Sequence, residues 1–273
     1  MKVPVNHEVE MIRIEAEQQK TACIAMLPGA IPGADVKLRT LQSGDKYFAD
    51  PVPGKAFIYL SIDGVFTFSA GTEKRTVSGR CVFIPGAGQR AEFSASVKTR
   101  LLEIVWTVNQ DDLMDWEQPK EQIFPFIQEY ITAPQYRDRN KSDKTISRKI
   151  VRQRIVPGFC MGSVESFGYD KAEQNSHPLL DQFFFSFPEN DTDVLINDFR
   201  VPMKGDTLLH IPLGSSHGLE VAEGKRMHYI WMDFFLGQAV LNQLDNSHKE
   251  SKRPVRYMSG GPDECGPEIE KLL

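Results

Sequence analysis

The chain has 273 residues, 41% of them hydrophobic, which is enough to bury one large core or two small ones. Its net charge of -5 argues against wholesale affinity for nucleic acid, and no apolar run approaches the ~20 residues a membrane helix needs. The opening stretch, MKVPVNHEVEMIRIEAEQQK, carries acids and no apolar segment, unlike a secretory leader. Cys23, Cys81, Cys160 and Cys265 lie far apart with no CxxC pair, so reduced, buried thiols in a cytoplasmic protein are expected.

In chain order, Thr21 to Leu27 reads as a strand ended by Pro28-Gly29. Strand-like segments recur at Ala56–Ile62, Val65–Phe68, Arg80–Ile84, Ala91–Phe93 and Leu101–Val108, punctuated by Gly64, Gly71, Gly79 and Pro85-Gly86. Many short strands with regular turns indicate a sandwich or a barrel. Residues 109–156 change character. Asp111 to Glu117 and Glu121 to Tyr130 read as short helices around Pro119 and Pro125. A basic stretch follows (Arg137, Arg139, Lys141, Lys144, Arg148, Lys149, Arg152 and Arg154), and a solvated linker is its plain reading, with a patch for an anionic partner as the alternative. Strands then recur at Gly162 to Gly168, Phe183 to Phe185, Val194 to Ile196, Thr207 to Ile211, Leu219 to Val221 and Met227 to Phe235. Ala239 to Leu244 reads as a short amphipathic helix, and the tail from Asp245 is polar.

The second half also carries a spaced set of polar residues. Asn175 and His177 stand one residue apart, Asp181 and Gln182 head the run Phe183-Phe184-Phe185, and Glu189 falls seven positions beyond Gln182. Further on, Pro212-Leu213-Gly214 precedes His217 by three residues. This pattern resembles the two sequence motifs of the cupin family, small β-barrels that hold one metal among inward-pointing His and carboxylate side chains. Pro212, Gly214 and His217 match the second motif without departure. In the first motif His177 matches the second histidine, Asn175 stands where the first would be, and Gln182 (or Asp181) stands where a Glu would be. The first half echoes the second: RTVSGRCVFIPGAGQR and RVPMKGDTLLHIPLGSSH both run through a Gly turn into a strand ending in Ile-Pro. Five residues past that proline stand Arg90 in one half and His217 in the other. Phe57 takes the place of the carboxylate ligand in the first half, and no histidine occurs between His7 and His177.

The resemblance implies an all-β chain of two cupin-type (double-stranded β-helix or jelly-roll) barrels with a few short helices in the connection and C-terminus. The expected divisions are a barrel without a metal motif over 1–108, a helical and basic connection over 109–156, and a barrel with a partial metal motif and polar tail over 157–273. It implies a divalent ion (Fe, Zn, Ni or Mn) held by His177 and His217, with Gln182 or Asp181 and Asn175 beside them. Imidazoles suit such ions, whereas amide oxygens are weak neutral donors. His228, Glu165 and Tyr169 are the expected acid and base groups, and His210 is taken as structural. Two functions stay open: a metal-dependent enzyme acting on a small polar metabolite (an isomerase, lyase, decarboxylase or dioxygenase), or a non-catalytic small-molecule-binding protein that has lost the metal. A regulator's sensor half is disfavoured, because no helix-turn-helix is legible. The expected partner is a small-molecule substrate or ligand, with no nucleic acid and no membrane, and a homodimer is admissible.

Overall fold

The computed structural model describes residues 2–6, 9–20, 22–119, 123–138, 140–177, 179–197, 199–235, 240–241, 255–256 and 270–271. In chain order the strands are β1 (Lys2–Asn6), β2 (Val9–Arg13), β3 (Cys23–Met26), β4 (Ala34–Leu41), β5 (Lys46–Ala49), β6 (Lys55–Asp63), β7 (Val65–Ala70) and β8 (Glu73–Ser78). There follow β9 (Cys81–Ile84), β10 (Ala91–Ala95), β11 (Thr99–Thr107), β12 (Phe126–Glu129), β13 (Gln135–Tyr136), β14 (Ile146–Val156) and β15 (Phe159–Phe167). The last set is β16 (Asp170–Ser176), β17 (Asp181–Ser186), β18 (Asp191–Ile196), β19 (Phe199–Lys204), β20 (Thr207–Ile211), β21 (Ser216–Val221) and β22 (Arg226–Phe234). A short helix, α1 (Leu113–Glu117), follows β11.

The chain divides into two units. The N-terminal unit comprises Glu15–Thr132 with Arg154–Gly158, and the C-terminal unit comprises Met1–Ile14, Ala133–Gln153 and Phe159–Leu273. The sequence reading drew its divisions at 108 and 157, whereas the contacts place 109–132 with the first unit and 133–153 with the second.

In the N-terminal unit a sheet ordered β12-β9-β6-β11-β4-β3 packs on a sheet ordered β5-β10-β7-β8. Tyr59, Phe83 and Leu101 of the first meet Phe66, Phe68 and Phe93 of the second in one buried cluster. The Tyr59 and Phe93 rings lie 4.6 Å apart and those of Phe68 and Phe83 4.0 Å apart. Each such ring contributes about 1.5–3 kcal/mol on leaving water. In the C-terminal unit the sheets are β1-β2-β20-β17-β22-β15-β14-β13 and β16-β21-β18-β19. Val164, Phe184, Leu209, Tyr229 and Trp231 of the first meet Val194, Val201, Leu219 and Val221 of the second. Period-2 alternation turns these residues inward and their sequence neighbours outward.

Three expectations change. The helix expected over Glu121 to Tyr130 is overturned by β12, whose backbone pairs with β9 from Phe126↔Ile84 to Glu129↔Cys81. Pro125 cannot continue a helix, and the sheet edge satisfies the backbone instead. The basic stretch is a solvated linker only in part: Arg137, Lys144, Arg152 and Arg154 are exposed, but β14 takes up its second half, with Arg148 fully buried and Lys149 9% exposed. Cys23 is exposed rather than buried, whereas Cys81 and Cys160 are buried as expected, and Cys265 lies outside the described residues. Of the helix expected over Ala239 to Leu244, Val240 and Leu241 are described and are helical. No described helix is long and apolar enough to cross a membrane.

Candidate functional site

The site lies on the inward face of the C-terminal unit. β16 and β21 pair so that Asn175 stands opposite His217, after an irregularity between Ala172 and Asn175. Gly218 permits this close approach, since a Cβ there would lie 2.6 Å from the Ala172 carbonyl oxygen. The His177 and His217 ring centroids are 5.5 Å apart, and His217 packs edge-on against Phe184 at 5.4 Å. His217 Nδ1 lies 3.2 Å from the Ser215 carbonyl oxygen, and Asn175 Nδ2 lies 3.3 Å from His177 Nε2. Burial is the leading cause that lowers the pKa of both rings, His217 to about 4, so both imidazoles are neutral at pH 7.

Two residues along β17 from Phe184, Gln182 points inward as well. It stands opposite Asp233 of β22, and its Nε2 donates to Asp233 Oδ1 at 2.7 Å. The Cys160 thiol lies 3.8 Å from the other carboxyl oxygen, within reach of a weak sulfur hydrogen bond. Burial dominates here too and raises Asp233 to about 7, against the lowering by these two partners and Lys141. Beside them Lys141 Nζ donates to Asp138 Oδ2 at 2.8 Å and lies 5.8 Å from the centre of the Tyr136 ring. The Lys141 charge acts on His177, His217 and Asp233 alike. Gly162 makes room for the wall of this face: a Cβ there would meet the Trp231 ring at 2.2 Å and the Arg148 carbonyl at 2.3 Å.

The expected site residues thus divide by strand face. Asn175, His177, Gln182 and His217 come to the inward face. Asp181 does not. It shares the opposite face with His210, whose Nε2 lies 3.8 Å from its Oδ1, because adjacent residues of a strand point to opposite sides. The same alternation corrects the placing of Glu165 and His228 as acid and base beside the histidines. Val164 and Tyr229 point inward, so Glu165 and His228 point outward. There Glu165 is buried in an ion pair with Arg148, and His228 Nε2 lies 3.4 Å from Glu165 and its Nδ1 2.5 Å from Glu189. Tyr169 is exposed at a turn, its N–H donating to Glu223 and its carbonyl accepting from Lys144. The sequence reading missed Asp233, Lys141 and Asp138 as site residues. Asp233 carried a signal in principle, since in the alternation of β22 it follows Tyr229 and Trp231 on the inward side.

The donor set does not fit a tightly held divalent ion. Structural and catalytic metal sites take three or four strong protein donors. His177 and His217 supply two, Gln182 is committed to Asp233, and Asn175 contributes only an amide. Among the described residues no group of three or more His, Cys, Asp or Glu could hold a metal ion.

No family model matches the chain, and no curated protein matches it. Solved structures do. A putative glyoxylate-induced protein from Pseudomonas aeruginosa superposes with a TM-score of 0.65 at 10% identity, over 85% of this chain and 82% of its own. A cupin 2 conserved barrel domain protein from Leptotrichia buccalis gives 0.52 at 14% identity, over 78% and 88%. An oxalate decarboxylase from Lactobacillus farciminis, solved as a formate complex, gives 0.58 at 10% identity, over 83% and 81%. At these identities the likeness shows the fold, and the fold of this chain is that of the cupin proteins.

Proposed function

We propose that the chain is a two-barrel cupin that binds a small polar metabolite inside its C-terminal barrel, among His177, His217, Lys141 and Asp233. The observation that carries this reading is the convergence of those groups on one inward face: Asn175 stands opposite His217, Gln182 opposite Asp233, and Lys141 opposite the core residue Ala172. Two neutral imidazoles accept or donate a hydrogen bond without a charge to desolvate, and a cation paired with Asp138 orients an acidic or hydroxylated ligand. Any turnover there is acid–base chemistry on the chain's own groups. Asp233 is the suited residue, because a carboxyl titrating near the working pH both takes and returns a proton.

The second reading is the metal-dependent enzyme, favoured by the two neutral rings 5.5 Å apart, since the neutral imidazole is the form that ligates a metal. Elemental analysis of protein purified without chelator separates the two. The first reading expects far less than one equivalent of any divalent metal, together with thermal stabilisation by polar metabolites that is lost in His217→Ala. A full equivalent of metal, removed by His177→Ala with His217→Ala, would establish the second reading and overturn the first.

A further inference from the structure

The interior of the N-terminal barrel is not purely apolar. Glu103 stands mid-strand on β11, opposite Tyr59 of β6, turned inward and 1% exposed. Arg39 grips it by two bonds, Nε to Oε2 at 2.5 Å and Nη2 to Oε1 at 2.9 Å. The Tyr47 hydroxyl donates to Oε2 at 2.6 Å, and Lys37 Nζ lies 3.8 Å from Oε1. The Arg39 guanidinium also sits 3.9 Å over the Tyr47 ring. A packed barrel does not require this: the corresponding ladder position of the other barrel, opposite Phe184, is filled by Trp231.

A structural ion pair accounts for Glu103 and one cation. It leaves three features over. Lys37 brings a second positive charge, so the cluster carries a net +1. Arg39 Nη1 makes no hydrogen bond among the described residues. The Tyr59 hydroxyl is buried beside the Tyr47 hydroxyl, its one polar neighbour among the described residues, in a contact short of normal hydrogen-bond geometry, so it keeps capacity for a better-placed partner. Solvent reaches the cluster, because on this same face Lys37 and Arg39 are 37% and 18% exposed, Cys23 and Ala25 of β3 are exposed, and Phe57 and Tyr47 are half-buried. Phe57 lies 6.5 Å from Tyr59, nearly parallel to it.

We infer that the N-terminal barrel holds a ligand site of its own, for a small organic acid with a flat apolar body. The carboxylate sits against Lys37 and the open edge of Arg39, with the Tyr59 hydroxyl donating to it, and the body lies along Phe57 and Tyr47. Glu103 holds the Arg39 fork in place.

Calorimetric titration of the full chain with benzoate tests the site, with acetate, inorganic phosphate and benzylamine as comparison probes. Benzoate is expected to bind saturably and more tightly than acetate or phosphate, and benzylamine not at all. Tyr59→Phe keeps the core volume and removes only the hydroxyl, and Lys37→Met removes the second charge at a partly exposed position. Each is expected to weaken benzoate about tenfold, while His217→Ala leaves it unchanged. No saturable binding, equal binding by the benzylamine cation or by phosphate, or benzoate affinity unaltered in both Tyr59→Phe and Lys37→Met would overturn the proposal. Loss of benzoate in His217→Ala would also overturn it, and would place the acid in the C-terminal barrel instead.

Discussion

The two barrels fill matching ladder positions with opposite electrostatics. In the N-terminal unit Phe57 stands opposite Val105 and Tyr59 opposite Glu103; in the C-terminal unit Gln182 stands opposite Asp233 and Phe184 opposite Trp231. Five residues past the Ile-Pro turn, one unit places Arg90 and the other His217. Arg90 is 60% exposed at the rim, 3.1 Å from the 78% exposed Asp50 and over the Phe48 ring, whereas His217 is buried. One interior therefore keeps a formal ion pair whose carboxylate is buried and whose cations reach the surface, and the other keeps groups that burial drives toward neutrality. The lesson concerns cost. A buried charge persists where an opposite charge meets it, as Arg39 meets Glu103, and where burial outweighs the partners the neutral form gains, as for Asp233 and His217.

The sharpest break of this contrast is Glu103→Ala, which leaves Arg39 on the inward face without its carboxylate. Chemical denaturation should show a loss of about 3–5 kcal/mol, the scale for halving a buried pair. A loss below about 1 kcal/mol would mean that the pair is effectively solvated.

Acid tests the other barrel. His217 has a folded pKa of about 4, below the ordinary histidine value, so the unfolded chain binds more protons between those values. The stability linked to its neutral form is present above about pH 6.5 and lost as pH falls toward 4, on the order of 3 kcal/mol in all. His217→Gln should flatten that part of the stability curve measured by urea titration from pH 7 to pH 4, and an unchanged slope would remove the histidine from the account.

Asp233 works in the reverse sense. Its folded pKa of about 7 lies above the ordinary carboxyl value, so folding favours the protonated form and stability declines from about pH 4 up to pH 7. Asp233→Asn keeps an acceptor for Gln182 and removes the charge. It should raise the thermal midpoint at pH 8 by the equivalent of up to about 4 kcal/mol, with little gain at pH 4.5. Equal gains at both values would point to packing rather than ionisation.

The smallest effect is expected of Arg90→Ala, since exposed pairs contribute roughly 0–1 kcal/mol. A thermal midpoint displaced by more than a degree or two would mean that Arg90 and Asp50 do more than decorate the rim.

The sequence by itself determined the strand content, the echo of one barrel in the other, and the pair His177 and His217. These are local signals: alternation, Gly and Pro turns, and a Pro-x-Gly-x-x-His spacing lie within short windows. It left Asp181 and Gln182 open, because neighbours on a strand are equivalent until the register is known. Pairing of Gln182 with Asp233 and Ile211 settled which one faces inward. The same absence of register let Glu165 and His228 stand beside the histidines on paper, although alternation sends them to the outer face. The basic stretch read as solvated because charge is counted along the chain, whereas Arg148 is neutralised by Glu165 of the adjoining strand. Only tertiary structure brought Arg39, Tyr47 and Glu103 together, from three strands that no local pattern connects. What a strand is follows from its own residues, and what its side chains meet is decided by strands far away in sequence.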